Sequence, residues 1–122
     1  MELAIRSEIR TKYVYIEATG PQDLRTNIKI AETAIKECVA AGLERALVNV
    51  QGMIGATGAI EDYELAKILD AWMAREVIKK AALLERPEVF ESALFLETAL
   101  HNRGMELKAF TDMKQAEEWI IK

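Results

Sequence analysis

The residues whose types and spacing could do chemistry lie mid-chain, in Gly52-Met53-Ile54-Gly55-Ala56-Thr57-Gly58. Glycines at 52, 55 and 58 let the backbone turn sharply and leave amide groups uncovered. Thr57 adds a hydroxyl beside them, so the stretch resembles a phosphate cradle in outline. It matches neither G-x-G-x-x-G nor G-x-x-x-x-G-K-[ST], and no lysine stands ready to meet a phosphate. Glu61 and Asp62 follow at once and would repel an anion. Two readings stay open: a turn that displays the Thr57 hydroxyl to a partner, or Thr57 as a helix cap.

Other chemistry is harder to assemble. A hydrolytic triad would draw on His101 with Ser7 or Ser92, and neither serine lies in a sharp strand-to-helix elbow. His101 falls in the last turn of a predicted helix, where an imidazole suits the dipole. One histidine and one cysteine, on different helices, leave zinc without a ligand set. Cys38 reads as a small core residue. Glu61-Asp62-Tyr63-Glu64 is acidic, but consecutive helical residues splay around the axis, so a solvated helix start is expected there. No metal, cofactor or catalytic group is expected.

A second candidate is apolar. Leu65, Ile68, Leu69, Trp72 and Met73 span an arc wider than the usual buried stripe of a helix. Such a face is core, the wall of a lipophilic pocket or a partner surface. As a pocket, it would be lined by Leu69, Trp72, Met73 and Phe90, between the helices over 60–76 and 88–103 and the sheet. Phe95, off its helix's main stripe, could pack on a neighbouring helix or join a self-association patch.

These residues need a scaffold, and 122 residues with half of them hydrophobic are enough for one domain over 1–122. A net charge of −4 with no basic cluster argues against a nucleic-acid partner. The charged N-terminal run lacks an apolar signal core, no apolar stretch reaches membrane-span length, and a single cysteine forms no internal disulfide. A cytoplasmic location is expected.

The periodicity predicts strands around Leu3–Ile9 and Tyr13–Ala18, joined as a hairpin that Gly20-Pro21 ends. A helix over 23–41 follows, capped by Asp23 and stopped by Gly42, with Leu24, Ile28, Ala31, Ile35 and Val39 as its stripe and Cys38 at the flank. The apolar run Ala46–Val50 is the next strand. A helix over 60–76, a strand over 77–84, a helix over 88–103, a strand over 105–110 and a helix capped by Thr111 complete the chain. Strands alternating with helices predict an α/β fold with right-handed crossovers.

Two stretches carry a family resemblance. MELKAFTDMKQAEEWI gives a strand ending in Phe110, then Thr111-Asp112, Ala116 and Trp119-Ile120; the other is the strand, loop and helix from Leu47 to Leu65. Together with the hairpin, they resemble the SpoIIAA-like branch of the STAS superfamily over nearly the whole chain. The resemblance implies a mixed, mostly parallel five-stranded sheet covered by about four helices. STAS domains that antagonise anti-sigma factors carry Asp-Ser-Ser-Gly in this loop, the first serine being the phosphoacceptor. Laying Gly58 on that glycine puts Gly55 on the aspartate, Ala56 on the acceptor and Thr57 on the second serine. The fold is also similar to CRAL-TRIO lipid-transfer domains, which implies, by analogy, a hydrophobic ligand or a membrane-surface role.

The expected function is therefore a non-enzymatic binding module. Its main form takes a small apolar ligand or membrane-surface lipid in the pocket of Leu69, Trp72, Met73 and Phe90. Its alternative is a regulatory protein-interaction module acting through Gly52, Gly55, Thr57 and Gly58. Self-association is compatible with either.

Overall fold

The computed structural model describes residues 2–122. Its elements are β1 (Ala4–Ile9), β2 (Val14–Pro21), α1 (Leu24–Ala41), β3 (Arg45–Ile54), α2 (Ala59–Ala71), the one-turn α3 (Ala74–Val77), β4 (Lys80–Leu84), a 3-10 turn (Pro87–Val89), α4 (Phe90–His101), β5 (Leu107–Phe110) and α5 (Met113–Ile120). The five strands lie side by side in chain order. β1 is antiparallel to β2, and every later pair is parallel. This is the α/β architecture expected, with five α-helices among the described residues where about four were expected.

Chain-order strands joined by right-handed crossovers send every crossover helix to the same face. α1, α2 and α4 accordingly share one core with Val14, Ile16, Ala46, Val50 and Ala81. Only α5, which follows the last strand, reaches the other face. There Ala116 and Ile120 pack on Tyr15, Leu47, Leu84 and Phe110. The two-residue period of β3 sorts Ala46 and Val50 to the first core and Leu47 to the second.

α5 is fastened at its carbonyl end by two cations. Arg45 Nη1 donates to the Ile120 carbonyl at 2.8 Å and Lys80 Nζ to that of Trp119 at 2.7 Å. Such carbonyls lack partners inside the helix, and positive charge suits that end of its dipole.

Several local expectations turn out differently. The innermost row of α1 is Thr26, Ile30, Ala34 and Cys38, spaced four apart, while Leu24, Ile28, Ala31 and Ile35 flank it. Small side chains in that row let the helix approach the sheet closely, and Val39 is left 64% exposed. α2 stops at Ala71 instead of running to residue 76, because Met73 adopts a left-handed backbone (φ 54°). The turn that follows delays β4 to Lys80. β5 likewise begins at Leu107, and Asp112, not Thr111, caps α5 by accepting from the Lys114 amide. Asp23 and Gly42 do end α1 as their residue types require.

Candidate functional site

The mid-chain glycine stretch divides in two. Gly52, Met53 and Ile54 belong to β3 and pair with Thr19, Gly20 and Pro21 of β2. This corrects the reading of Gly52 as a loop residue. A Cβ at Gly52 would stand 2.8 Å from the Thr19 methyl, so a side chain there would have to push that threonine aside. The true loop is Gly55 to Gly58. It opens with Gly55 at φ +94°, a backbone state that disfavours side chains.

This loop sits past the carboxyl end of β3, where open α/β sheets receive ligands and partners. Its geometry is set from beneath. Thr57 Oγ1 donates to Asp62 Oδ1 at 2.5 Å, Ser92 Oγ donates to Asp62 Oδ2 at 2.5 Å, and the two hydroxyls stand 3.2 Å apart. Asp62 is buried, so the expected solvated start of α2 is only half right. A buried carboxylate needs donors, and these two hydroxyls supply them. Thr57 is therefore not the cap of α2. Gly58 holds that position, and Glu61 reaches back to its amide at 3.2 Å and to the Leu24 amide at 3.3 Å.

A second clamp comes from the end of β4. The Arg86 guanidinium donates to the Gly55 carbonyl and to Gln22 Oε1, joining the loop to the start of α1. Its neighbour Glu85 is buried and accepts from the Arg86 amide at 2.9 Å and from Gln22 Nε2 at 3.4 Å. Burial raises the Glu85 pKa above the usual carboxylate value, against the opposing pull of those donors.

Two hollows adjoin this network. A cavity of about 100 Å³ lies between the sheet and the helices, walled by Ile30, Val50, Leu65, Leu69 and Leu96, with Thr57, Asp62, Ser92 and Glu85 among its polar lining. A shallow groove of about 390 Å³ runs outside, between Ala56, Thr57 and Ala59 on one bank and Val89, Ser92 and Phe95 on the other.

Of the four apolar residues expected to line a pocket together, Leu69 lines the cavity and the other three do not. Trp72 caps the end of α2 and is 42% exposed, Met73 turns outward in the break that follows, and Phe90 is half-buried at the start of α4. The wide arc is thus two things: a buried row of Asp62, Leu65, Ala66 and Leu69, and an exposed pair past the helix end.

The network residues Asp62, Glu85, Arg86 and Ser92 were not anticipated as a group. Asp62 had a legible signal, since it stands three, four and seven residues before Leu65, Ala66 and Leu69 and so shares their buried face. Ser92 leads Ala93, Leu96 and Leu100 in a similar way. Elsewhere, His101 is exposed in the last turn of α4, and burial pushes the Cys38 thiol up to about 11. Among the described residues no three His, Cys, Asp or Glu side chains gather as a metal site would need.

An open sheet in chain order with an antiparallel first strand, three crossover helices on one face and a lone C-terminal helix on the other defines a SpoIIAA-like fold. Comparison with solved structures shows the same fold. An anti-sigma factor antagonist from Mycobacterium paratuberculosis superposes with a TM-score of 0.62 at 14% identity, over 99% of this chain and 96% of that one. A DUF3478-family protein with a SpoIIAA-like fold from Shewanella loihica PV-4 gives 0.60 at 22% identity, over 97% and 93%. The anti-sigma factor antagonist SpoIIAA in its unphosphorylated form gives 0.54 at 13% identity, over 97% and 98%. No protein-family model and no curated protein matches the sequence.

Proposed function

We propose that this chain is a non-catalytic regulatory module that binds a protein partner through Gly55–Gly58 and the first turn of α2. The observation that carries the reading is Ile60, 80% exposed in that first turn, with its neighbours in the chain Ile54, Ala56 and Ala59 also exposed. Apolar side chains gathered on a surface mark contact sites, above all where the backbone beneath them is fixed. Here the backbone is fixed by the Asp62 network below and the Arg86 clamp beside it. Two of the structural neighbours are anti-sigma factor antagonists, proteins named for opposing another protein, and that supports the same class of partner.

Ala56 occupies the place of the phosphoacceptor in the resemblance, and the Thr57 hydroxyl is turned inward onto Asp62. The module therefore engages its partner without a phosphorylation switch at this loop. The apolar-ligand reading is weaker. Ligand pockets run from about 300 Å³ upward, and the cavity between sheet and helices, near 100 Å³, falls well short of that.

The test is affinity capture from cells that express the chain, comparing the wild type with Ile60→Glu, Ala56→Arg and the distant control Ile121→Ser. A partner retained by the wild type and the control, but lost from both loop variants, supports the reading. Equal retention by all four proteins contradicts it.

A further inference from the structure

The two edges of the sheet are treated differently. β5, at one edge, is four residues long, and the outward amide of Ala109 is taken by Glu97 Oε2 at 2.8 Å. A side chain that occupies an edge amide blocks strand addition. β1, at the other edge, is six residues long and contains no proline. Among the described residues no side chain bonds its outer amides or carbonyls.

Which groups face outward follows from the hairpin. The Arg10 amide donates to the Tyr13 carbonyl at 2.9 Å, and Ile9 stands opposite Val14. Hydrogen-bonded pairs alternate along an antiparallel ladder. Glu8, Arg6 and Ala4 therefore bond to β2, and Ile9, Ser7 and Ile5 present their amides and carbonyls to the open edge. The side chains alternate as well. Leu3 and Ile5 pack on the α1 side of the sheet, and Arg6 lies on the opposite face, bonded to Glu17 at 3.2 Å.

The edge reads Ile5-Arg6-Ser7-Glu8-Ile9, a palindrome in chemical type. We propose that β1 pairs antiparallel with β1 of a second copy of this chain about a two-fold axis at Ser7, joining the two sheets into one of ten strands. In that register Arg6 of each copy faces Glu8 of the other, and Ile9, 64% exposed in the single chain, faces Ile5 of the other. Ser7, small and with its amide outward, sits on the axis. Its pair and the two Ile5–Ile9 pairs form about six backbone hydrogen bonds, two for each pair. A strand built only to repel neighbours would carry lysine, proline or charge of one sign; this one carries opposite charges in self-complementary order. The surface is separate from the loop proposed above, so the two readings stand or fall independently.

Sedimentation equilibrium on the full chain tests it, from about 1 to about 500 µM, the range over which a weak dimer forms. The wild type is expected at twice the 13.7 kDa chain mass at the upper end. Ser7→Pro, which removes an outward amide and leaves the β2 pairing intact, is expected at the single mass. Glu8→Lys and Arg6→Glu each place like charges opposite one another and are expected to be monomeric alone. Mixed in equal amounts they restore every pair, Arg6 against Glu8 and Lys against Glu, and a dimer should reappear. A wild type at the single mass throughout, or a dimer unchanged in Ser7→Pro and both charge variants, overturns the proposal. The mixing arm decides the matter even if the proline variant fails to fold.

Discussion

Ser92 on α4 and Asp62 on α2 share a hydrogen bond of 2.5 Å, formed thirty residues apart in sequence at the head of both helices, where Asp62 is buried and Ser92 half-buried. It closes the end of the core beneath the exposed loop and joins that loop to α4 through Thr57. Loss of either hydroxyl leaves a buried carboxylate short of a donor. Hydrogen bonds to charged groups contribute about 1.5–3 kcal/mol, so Ser92→Ala and Thr57→Val should each lower unfolding stability by about 2 kcal/mol. Because the two act on one carboxylate, the double variant should depart from additivity, and urea denaturation of all four proteins measures the departure.

Glu85 makes stability depend on pH in an unusual direction. Its folded pKa is raised by burial, so the folded chain holds a proton that the unfolded chain releases. Stability from this group is full below the ordinary carboxylate value and falls as pH rises through the raised one. Glu85→Gln removes the dependence. The stability of Glu85→Gln relative to the wild type should therefore climb as pH rises above the ordinary carboxylate value of about 4.3, and urea titrations on both sides of it read the difference. A flat difference would mean that the donors from Arg86 and Gln22 cancel the burial.

Met73 carries a left-handed backbone on an exposed side chain. A residue with a Cβ is disfavoured there by about 1–2 kcal/mol, and glycine gives back part of that gain through its freer unfolded chain. Met73→Gly should raise stability by about 0.5–1 kcal/mol, measured by thermal or urea unfolding. Met73→Ala should not.

The two tryptophans report on the pocket question. Trp119 packs on Phe110 with ring centres 5.6 Å apart and has Lys80 Nζ 4.3 Å from its ring centre, whereas Trp72 stands in solvent at the end of α2. In Trp119→Phe the remaining emission should be that of a wet indole, readily quenched by iodide. Addition of oleate should leave it unchanged. A blue shift on adding oleate would revive the apolar-ligand reading at Trp72.

Most of the scaffold was legible because its signals are local. The apolar run Ala46 to Val50, and Asp23 and Gly42 at the ends of α1, each state a structure within a few residues. The site was legible only in outline. Gly52 looked like a loop glycine because the Thr19 methyl that crowds it lies on another strand. Trp72 and Met73 looked like core because nothing in their composition announces a left-handed turn at a methionine. The Arg86 clamp joins three separate connecting segments, and no spacing rule within one of them reveals it. Asp62 was the exception, since its helical phase already placed a carboxylate on a buried face.

The proposed contact surface is best tested by placing the photo-crosslinking residue p-benzoylphenylalanine at position 60, with position 121 on the far side of the sheet as the control, in cells that express the chain. The account predicts one discrete protein adduct from position 60 and none from position 121. No adduct at position 60, or the same adduct from both sites, would contradict it.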